Sequence, residues 1–160
     1  MTKNDQAWWL GIDPGGSGAA CLKSGPEIKI SDYVGILETS AQIREWKSAY
    51  LIQGAFLELV HSMPDDGVAS AFKFGTNFGF WQGTLASLEI PFKFVTPQAW
   101  RKGLFAGVPG KTTKKKSLFV ARRMFPDSEC FLREKDHDRA EAMLMAYQAE
   151  RYFFNSRRKK

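Results

Sequence analysis

The run Ala55-Phe56-Leu57-Glu58-Leu59-Val60 constrains this chain more than any other segment. Apolar side chains occupy both alternating faces, so a strand built from it must be covered on both sides, as in a layered α/β domain. Glu58 is the single charge in the run. A carboxylate in such a strand is desolvated, which costs several kcal/mol unless a cation or strong donors compensate. A glutamate at a strand end that reaches solvent would escape that cost.

The rest of the chain arranges itself around this strand. Ala7 to Ile12 is apolar and β-prone and stops at Asp13-Pro14-Gly15-Gly16, which must turn the chain. Ala19 to Lys23 follows, and after Gly25-Pro26 the residues Ile28, Ile30 and Asp32 alternate with Lys29, Ser31 and Tyr33. The opening therefore reads as a three-stranded meander. Thr39 or Ser40 is placed to cap a helix carrying Ile43, Trp46 and Tyr50. After Ala55 to Val60 and the loop Met63-Pro64-Asp65-Asp66-Gly67 comes a long helical pattern from Ser70 to Leu88, then a strand from Phe92 to Val95. Helices over Thr113 to Phe125 and Asp136 to Phe154 end the pattern. The order predicts a mixed five-stranded sheet with helices on both faces. With 160 residues and 44% hydrophobic content the chain suits one domain, 7–154, between a flexible tail 1–6 and a basic tail 155–160.

Charge and cysteine usage narrow the function classes. The net charge of +6 is concentrated between Lys111 and Arg123 and from Arg151 to Lys160, a pattern that favours a polyanionic partner. Cys21 and Cys130 match no zinc spacing and no disulfide framework, and the opening Met1 to Gln6 is polar, so a cytoplasmic protein without a targeting signal is expected. No apolar run approaches a membrane span. Gly16-Ser17-Gly18 lacks the third glycine and the following helix of a dinucleotide loop, and Gly110-Lys111-Thr112 has Phe105 where a phosphate-binding loop needs glycine. His61 and His137 stand apart from any Cys or His at ligand spacing and read as hydrogen-bonding or surface residues.

The acids form a more telling pattern. Asp13 ends the first strand, where an aspartate before Pro-Gly also organises a turn through its own side-chain oxygen. Asp138 and Glu141 are three apart in a helical stretch and share a face, although acids near a helix start are favourable without any further role. One acid on a central strand, one on its potential neighbour and a pair on a late helix can converge. Hard oxygen ligands of this kind suit Mg²⁺ or Mn²⁺.

Four segments together carry a resemblance. Gly11-Ile12-Asp13-Pro14-Gly15 with Ser17-Gly18-Ala19, Leu57-Glu58-Leu59-Val60-His61-Ser62-Met63-Pro64, Phe94-Val95-Thr96-Pro97-Gln98-Ala99-Trp100, and Asp138-Arg139-Ala140-Glu141-Ala142 resemble RuvC-like Holliday junction resolvases, in particular the phage-borne branch, in matching order over residues 8–152. The resemblance implies an RNase H-like fold and a homodimer acting on branched DNA, the four-way junction. It also implies that Asp13, Glu58, Asp138 and Glu141 are catalytic and hold two Mg²⁺ or Mn²⁺ ions, with no small-molecule cofactor. Cleavage would leave 5′-phosphate and 3′-hydroxyl ends. This chain has Asp-x-x-Glu where the bacterial housekeeping enzymes commonly carry Asp-x-x-Asp, and the choice between Glu141 and Asp136 as the last ligand stays open. The same metal site would serve a less selective nuclease of branched DNA or RNA/DNA hybrids, and a junction-binding protein without turnover is the reading from another class.

Binding residues follow from the basic run. Lys111, Lys114, Lys115, Lys116, Arg122 and Arg123 carry no interleaved acid, while Leu118, Ala121 and Phe125 form an apolar stripe, so one helix face packs and the other is free for DNA phosphates. Thr112 or Thr113 would cap this helix and Pro126 stop it. In the preceding long helix Phe74, Phe78, Trp81, Leu85 and Leu88 recur at core spacing. Phe72 and Phe80 fall off that stripe, where stacking on unpaired bases or dimer packing would use them. Ala71, Gly75, Gly79, Gly83 and Ser87 form a ridge of small residues, read as a dimer seam, with tight packing on the chain's own sheet as the alternative.

Overall fold

The computed structural model describes residues 6–59 and 67–157, so Val60 to Asp66, with His61 and most of the loop expected from Met63 to Gly67, lie outside the described residues. The opening meander consists of β1 (Ala7–Asp13), β2 (Ala19–Ser24) and β3 (Glu27–Asp32), paired antiparallel. Helix α1 (Ile36–Ala49) returns the chain to β4 (Leu51–Glu58), which lies parallel to β1, and α2 (Val68–Ser87) returns it to β5 (Phe92–Val95), parallel to β4. The five-stranded sheet has the order β3-β2-β1-β4-β5. A short helix α3 (Pro97–Arg101) precedes α4 (Thr113–Met124), and two 3₁₀ turns lead into α5 (His137–Arg157).

Side-chain alternation along the strands builds a core on each face of the sheet. Trp8, Leu10, Ile12, Ala20, Leu22, Ala55 and Leu57 face α1 and α2, where Ile43, Trp46, Trp81 and Leu85 complete one cluster. Trp9, Ala19, Cys21 and Phe56 face the other way, against α4 and α5 and the residues Leu118, Met143, Leu144 and Met145. The expected mixed sheet with helices on both faces is present.

Close approach fixes α5 over β1. A Cβ built on Gly11 would lie 2.2 Å from both the Ala142 carbonyl oxygen and the Ala146 nitrogen, so only glycine admits the helix there. Two ion pairs set the rotation of α5. Arg139 donates to both carboxylate oxygens of Asp32 at the end of β3, at 2.7 and 2.5 Å. Lys23, buried in β2, pairs with Glu150 further along the helix.

Several boundaries differ from the sequence expectation. α1 starts three residues before the nearer expected cap, because Gly35 takes the cap position at φ 140° while the Thr39 oxygen accepts from the Val34 N–H at 3.2 Å. β4 starts at Leu51 rather than Ala55, with the register of its pairing to β1 slipping between Trp8 and Trp9. Helix α3 was not expected, and α5 runs on to Arg157, past Phe154. Among the described residues, no helix is long and apolar enough to cross a membrane.

Candidate active site

Sheet register brings the first two acids together. Ile12 pairs with Leu57 across the parallel strands, so Asp13 and Glu58 are neighbours at the same ends of β1 and β4. By alternation both fall on the face that carries Trp9 and Phe56, under α5. Asp138 and Glu141 descend from the first turns of α5 onto the same place. Asp13, Glu58 and Glu141 are 6%, 7% and 8% exposed, while Asp138 is half-buried.

Each carboxylate has one oxygen engaged by a neutral donor. Asp13 Oδ1 accepts from the Gly15 N–H at 3.0 Å, which is the turn-organising role its position suggested, and Asn77 of α2 braces that turn through the Pro14 and Gly15 carbonyls at 2.8 and 2.7 Å. Glu58 Oε1 accepts from the Trp100 indole N–H at 2.7 Å. Asp138 Oδ2 accepts from the Ser17 hydroxyl at 2.7 Å, and Glu141 Oε1 from Ser117 at 3.2 Å. His137 places Nε2 3.0 Å from Asp138 Oδ1 and turns Nδ1 toward the Glu134 carbonyl at 3.3 Å.

The electrostatics record the crowding. Burial pushes the Asp13 carboxyl well above the usual carboxylate range. The Gly15 hydrogen bond opposes this, and the charges of Asp138, Glu58 and Glu141 add to it. Burial also raises Glu58, against the Trp100 bond and the Arg101 cation, and it raises Glu141 together with the charge of Glu58. Asp136 behaves differently. Burial acts upward on it too, but its bonds with Arg133, at 2.7 to 3.0 Å, outweigh burial and hold the carboxyl below the usual range. Asp136 is thus engaged in an ion pair with Arg133, whereas Glu141 lies within electrostatic reach of Asp13, Glu58 and Asp138.

The donor set fits a divalent cation in its chemistry: hard carboxylate oxygens, of which those of Asp13, Glu58 and Glu141 are buried and raised by burial and by neighbouring negative charge. Among the described residues, no group of three or more His, Cys, Asp or Glu side chains is close enough together to hold a metal ion as placed.

Helix α4 adjoins the acids through Ser117, and the residues just before that serine are Lys114, Lys115 and Lys116. Thr112 caps the helix by accepting from the Lys115 N–H at 3.3 Å, while Leu118, Val120 and Ala121 are buried. Lys111, Lys114, Lys115 and Arg123 are exposed and Lys116 is half-buried. Beside them runs a groove of about 700 Å³ lined by Lys115, Phe119, Arg122, Arg123 and Glu134 among others. Arg122 is drawn away from the other cations: it donates to the Phe131 and Leu132 carbonyls at 2.7 and 3.0 Å and lies 3.7 Å from Glu134. On α2, Phe80 packs against Tyr33 and Trp81, whereas Phe72 is 77% exposed. Among the described residues the small-residue ridge is uncovered: a Cβ on Gly75, Gly79 or Gly83 would meet nothing within 4 Å, so packing on the chain's own sheet does not explain it.

Sequence reasoning assigned no role to Trp100, Arg101, Ser17, Ser117 or Asn77. Thr96-Pro97 is a recognisable helix start, and it is that helix which delivers Trp100 and Arg101 to the site. Ser17 stands in the Ser17-Gly18-Ala19 segment but meets Asp138 only across the fold, and for Ser117 and Asn77 nothing local in the sequence marks the role.

The sheet order and the helices on both faces define the fold, an RNase H-like one of the kind found in RuvC. Two solved structures of RuvC from Thermus thermophilus share the fold. One, in complex with a Holliday junction substrate, superposes with a TM-score of 0.61 at 13% identity, over 92% of this chain and 96% of that one. The other gives 0.54 at 17% identity, over 87% and 90%. In sequence, 92 residues, 57% of this chain, are 32% identical to the chloroplastic Holliday junction resolvase MOC1 of Chlamydomonas reinhardtii. The match spans 10% of that protein's length. No family model matches the chain.

Proposed function

We propose that this protein is a structure-selective DNA endonuclease that resolves four-way junctions by paired, symmetric nicks leaving 5′-phosphate and 3′-hydroxyl ends. The observation that carries the reading is the gathering of Asp13, Glu58, Asp138 and Glu141, three of them buried, where β1, β4 and α5 meet. A protein that only bound DNA would gain nothing from burying carboxylates beside a cationic helix. The likeness to a resolvase in sequence and to RuvC in fold supports the junction as substrate.

Asp13, Glu58, Asp138 and Glu141 would hold Mg²⁺ or Mn²⁺, two ions in the full site. Bound cations supply a water nucleophile at neutral pH and stabilise the leaving oxygen. The chain's own part is positional. Gly15, Trp100 and Ser117 hold Asp13, Glu58 and Glu141, each by one oxygen, and Ser17 and His137 hold Asp138. Lys111, Lys114, Lys115, Lys116 and Arg123 offer charge to the DNA backbone, with Arg122 bracing the end of the helix. A homodimer would present two such sites to the two symmetric strands of a junction.

The test compares a four-way junction, a splayed arm, linear duplex and an RNA/DNA hybrid, each with Mg²⁺ and with Mn²⁺. Preferential cutting of the junction is expected. Asp13→Asn and Glu58→Gln should each lose cleavage by at least about a thousandfold, the scale of losing one essential charge-stabilising group, while still binding the junction. Equal cutting of hybrid and junction would replace this reading with a less selective nuclease, and substantial cutting by both variants would remove the acids from the mechanism.

A further inference from the structure

We propose that Trp100 is a positioning residue for Glu58, its indole N–H fixing one carboxylate oxygen so that the other stays turned toward a divalent cation. The inference rests on the metal reading above and adds to it a residue that the acids alone do not reveal. Trp100 is 1% exposed, and its Nε1 lies 2.7 Å from Glu58 Oε1 in a buried bond. Indole donates one hydrogen bond and carries no charge. It can therefore orient the carboxylate without neutralising it, whereas a lysine or arginine in that place would pair with Glu58 and compete with the cation.

Trp100 is itself held. Glu58 pairs in register with Val95, the last residue of β5, so the chain enters α3 directly beside Glu58. Thr96 caps α3 by accepting from the Ala99 N–H at 3.3 Å, and Pro97 occupies the start of the helix. Gln148 of α5 donates to the Trp100 carbonyl at 2.9 Å, and Phe105 meets the indole edge-on at 5.9 Å. The same helix that carries Asp138 and Glu141 thus also sets the position of the Glu58 donor.

The bond is not what any buried tryptophan in this chain acquires. Among the described residues the indole nitrogens of Trp8, Trp9 and Trp81 are buried with no hydrogen-bond partner, so the core accepts tryptophan for its bulk alone. Trp100 differs in having its N–H directed at the carboxylate of the acid site. Polar groups that orient metal ligands are worth about 10- to 100-fold in metal affinity.

Mn²⁺ titration of the intact protein tests this, followed by calorimetry. Trp100→Phe, which keeps the ring and drops the N–H, should weaken Mn²⁺ binding by about 10- to 100-fold. In a Glu58→Gln background the same substitution should weaken it by much less. Unchanged affinity, or an equal loss in both backgrounds, overturns the inference and leaves the metal reading standing. Failure of the wild type to bind Mn²⁺ overturns both. A second measurement needs no Trp100 variant: in the proton–nitrogen spectrum of the five indoles, one buried resonance should move both on adding Mg²⁺ and on Glu58→Gln. Five indoles that respond to neither, or none that responds to both, would overturn it.

Discussion

Asp13, Glu58 and Glu141 are raised by burial first and by one another's charge after that, which gives the cation-free protein a definite pH dependence. A carboxyl whose folded-state pKa exceeds its unfolded value contributes stability that is full below the unfolded pKa and lost as pH rises through the folded one. These three groups therefore destabilise the cation-free fold as pH rises above the ordinary carboxylate range. Asp136 has the opposite sign. Its contribution is full above that range and lost as pH falls below it. A divalent cation binds the ionised acids, so its stabilising effect should grow with pH across the upper window, reaching about 2.7 kcal/mol at a hundred times its Kd. Thermal melts from pH 4 to about 8 in EDTA and in Mg²⁺ would measure this; parallel curves would mean that the acids do not bind the ion. In EDTA at neutral pH, Glu58→Gln should melt higher than wild type, since it removes a desolvated charge and keeps an acceptor for Trp100. The four acids of this site are legible in the sequence for physical reasons: Glu58 interrupts an apolar run, Asp13 ends one, and Asp138 and Glu141 are three apart on one helix face. Trp100 is not, because its N–H finds Glu58 only after β5 pairs with β4.

Among the elements, α5 does most to assemble the site, and its seat on β1 depends on Gly11. With backbone atoms 2.2 Å from a built Cβ, Gly11→Ala cannot be absorbed by a side-chain rotation. Overpacking of this kind costs about 1 to 3 kcal/mol, and Gly11→Ala should reach or exceed the upper end, measured by denaturant unfolding. A neutral result would mean that α5 can slide on the sheet, and the acid geometry with it. Helix α4 acts on binding rather than on stability. Replacing Lys114, Lys115 and Lys116 with alanine should flatten the log–log salt dependence of junction binding by about 0.9 for each phosphate that is no longer neutralised. An unchanged slope in the triple variant would make the run a solvated face. Strong periodicity made the larger elements readable, and its local failures explain the rest. Gly54 interrupts the strand pattern that begins at Leu51, and the structure gives the reason: its missing side chain leaves room for the Phe153 ring, 2.7 Å from a built Cβ. Helix α3, with five residues, is too short to show a period. The start of α1 was misplaced because Gly35 caps it without a side chain.

At the scale of the whole molecule the open question is what covers the ridge of α2. Glycine inside a helix costs about 1 kcal/mol relative to alanine, and Gly75, Gly79 and Gly83 bear that cost where, among the described residues, nothing comes within 4 Å of a Cβ. Packing among the described residues thus gives no reason for them, and close approach by a second copy would, since rows spaced by four are the ridges along which helices pack. Phe72, exposed on the same helix, extends the uncovered surface. A two-fold pairing would also answer the symmetry of a junction, with one site for each strand to be cut. Two substitutions at one position separate the single chain from the pair. Gly79→Ala should leave the isolated chain more stable by up to about 1 kcal/mol, because helix propensity improves and no neighbour is met. Gly79→Leu should likewise fold, yet sediment as a monomer where the wild type sediments as a dimer, and it should convert paired incision into single nicks. A wild type that remains a monomer at micromolar concentration, with and without junction DNA, would rule out α2 as the seam, and a Gly79→Leu protein that still dimerises would place the seam elsewhere on the surface.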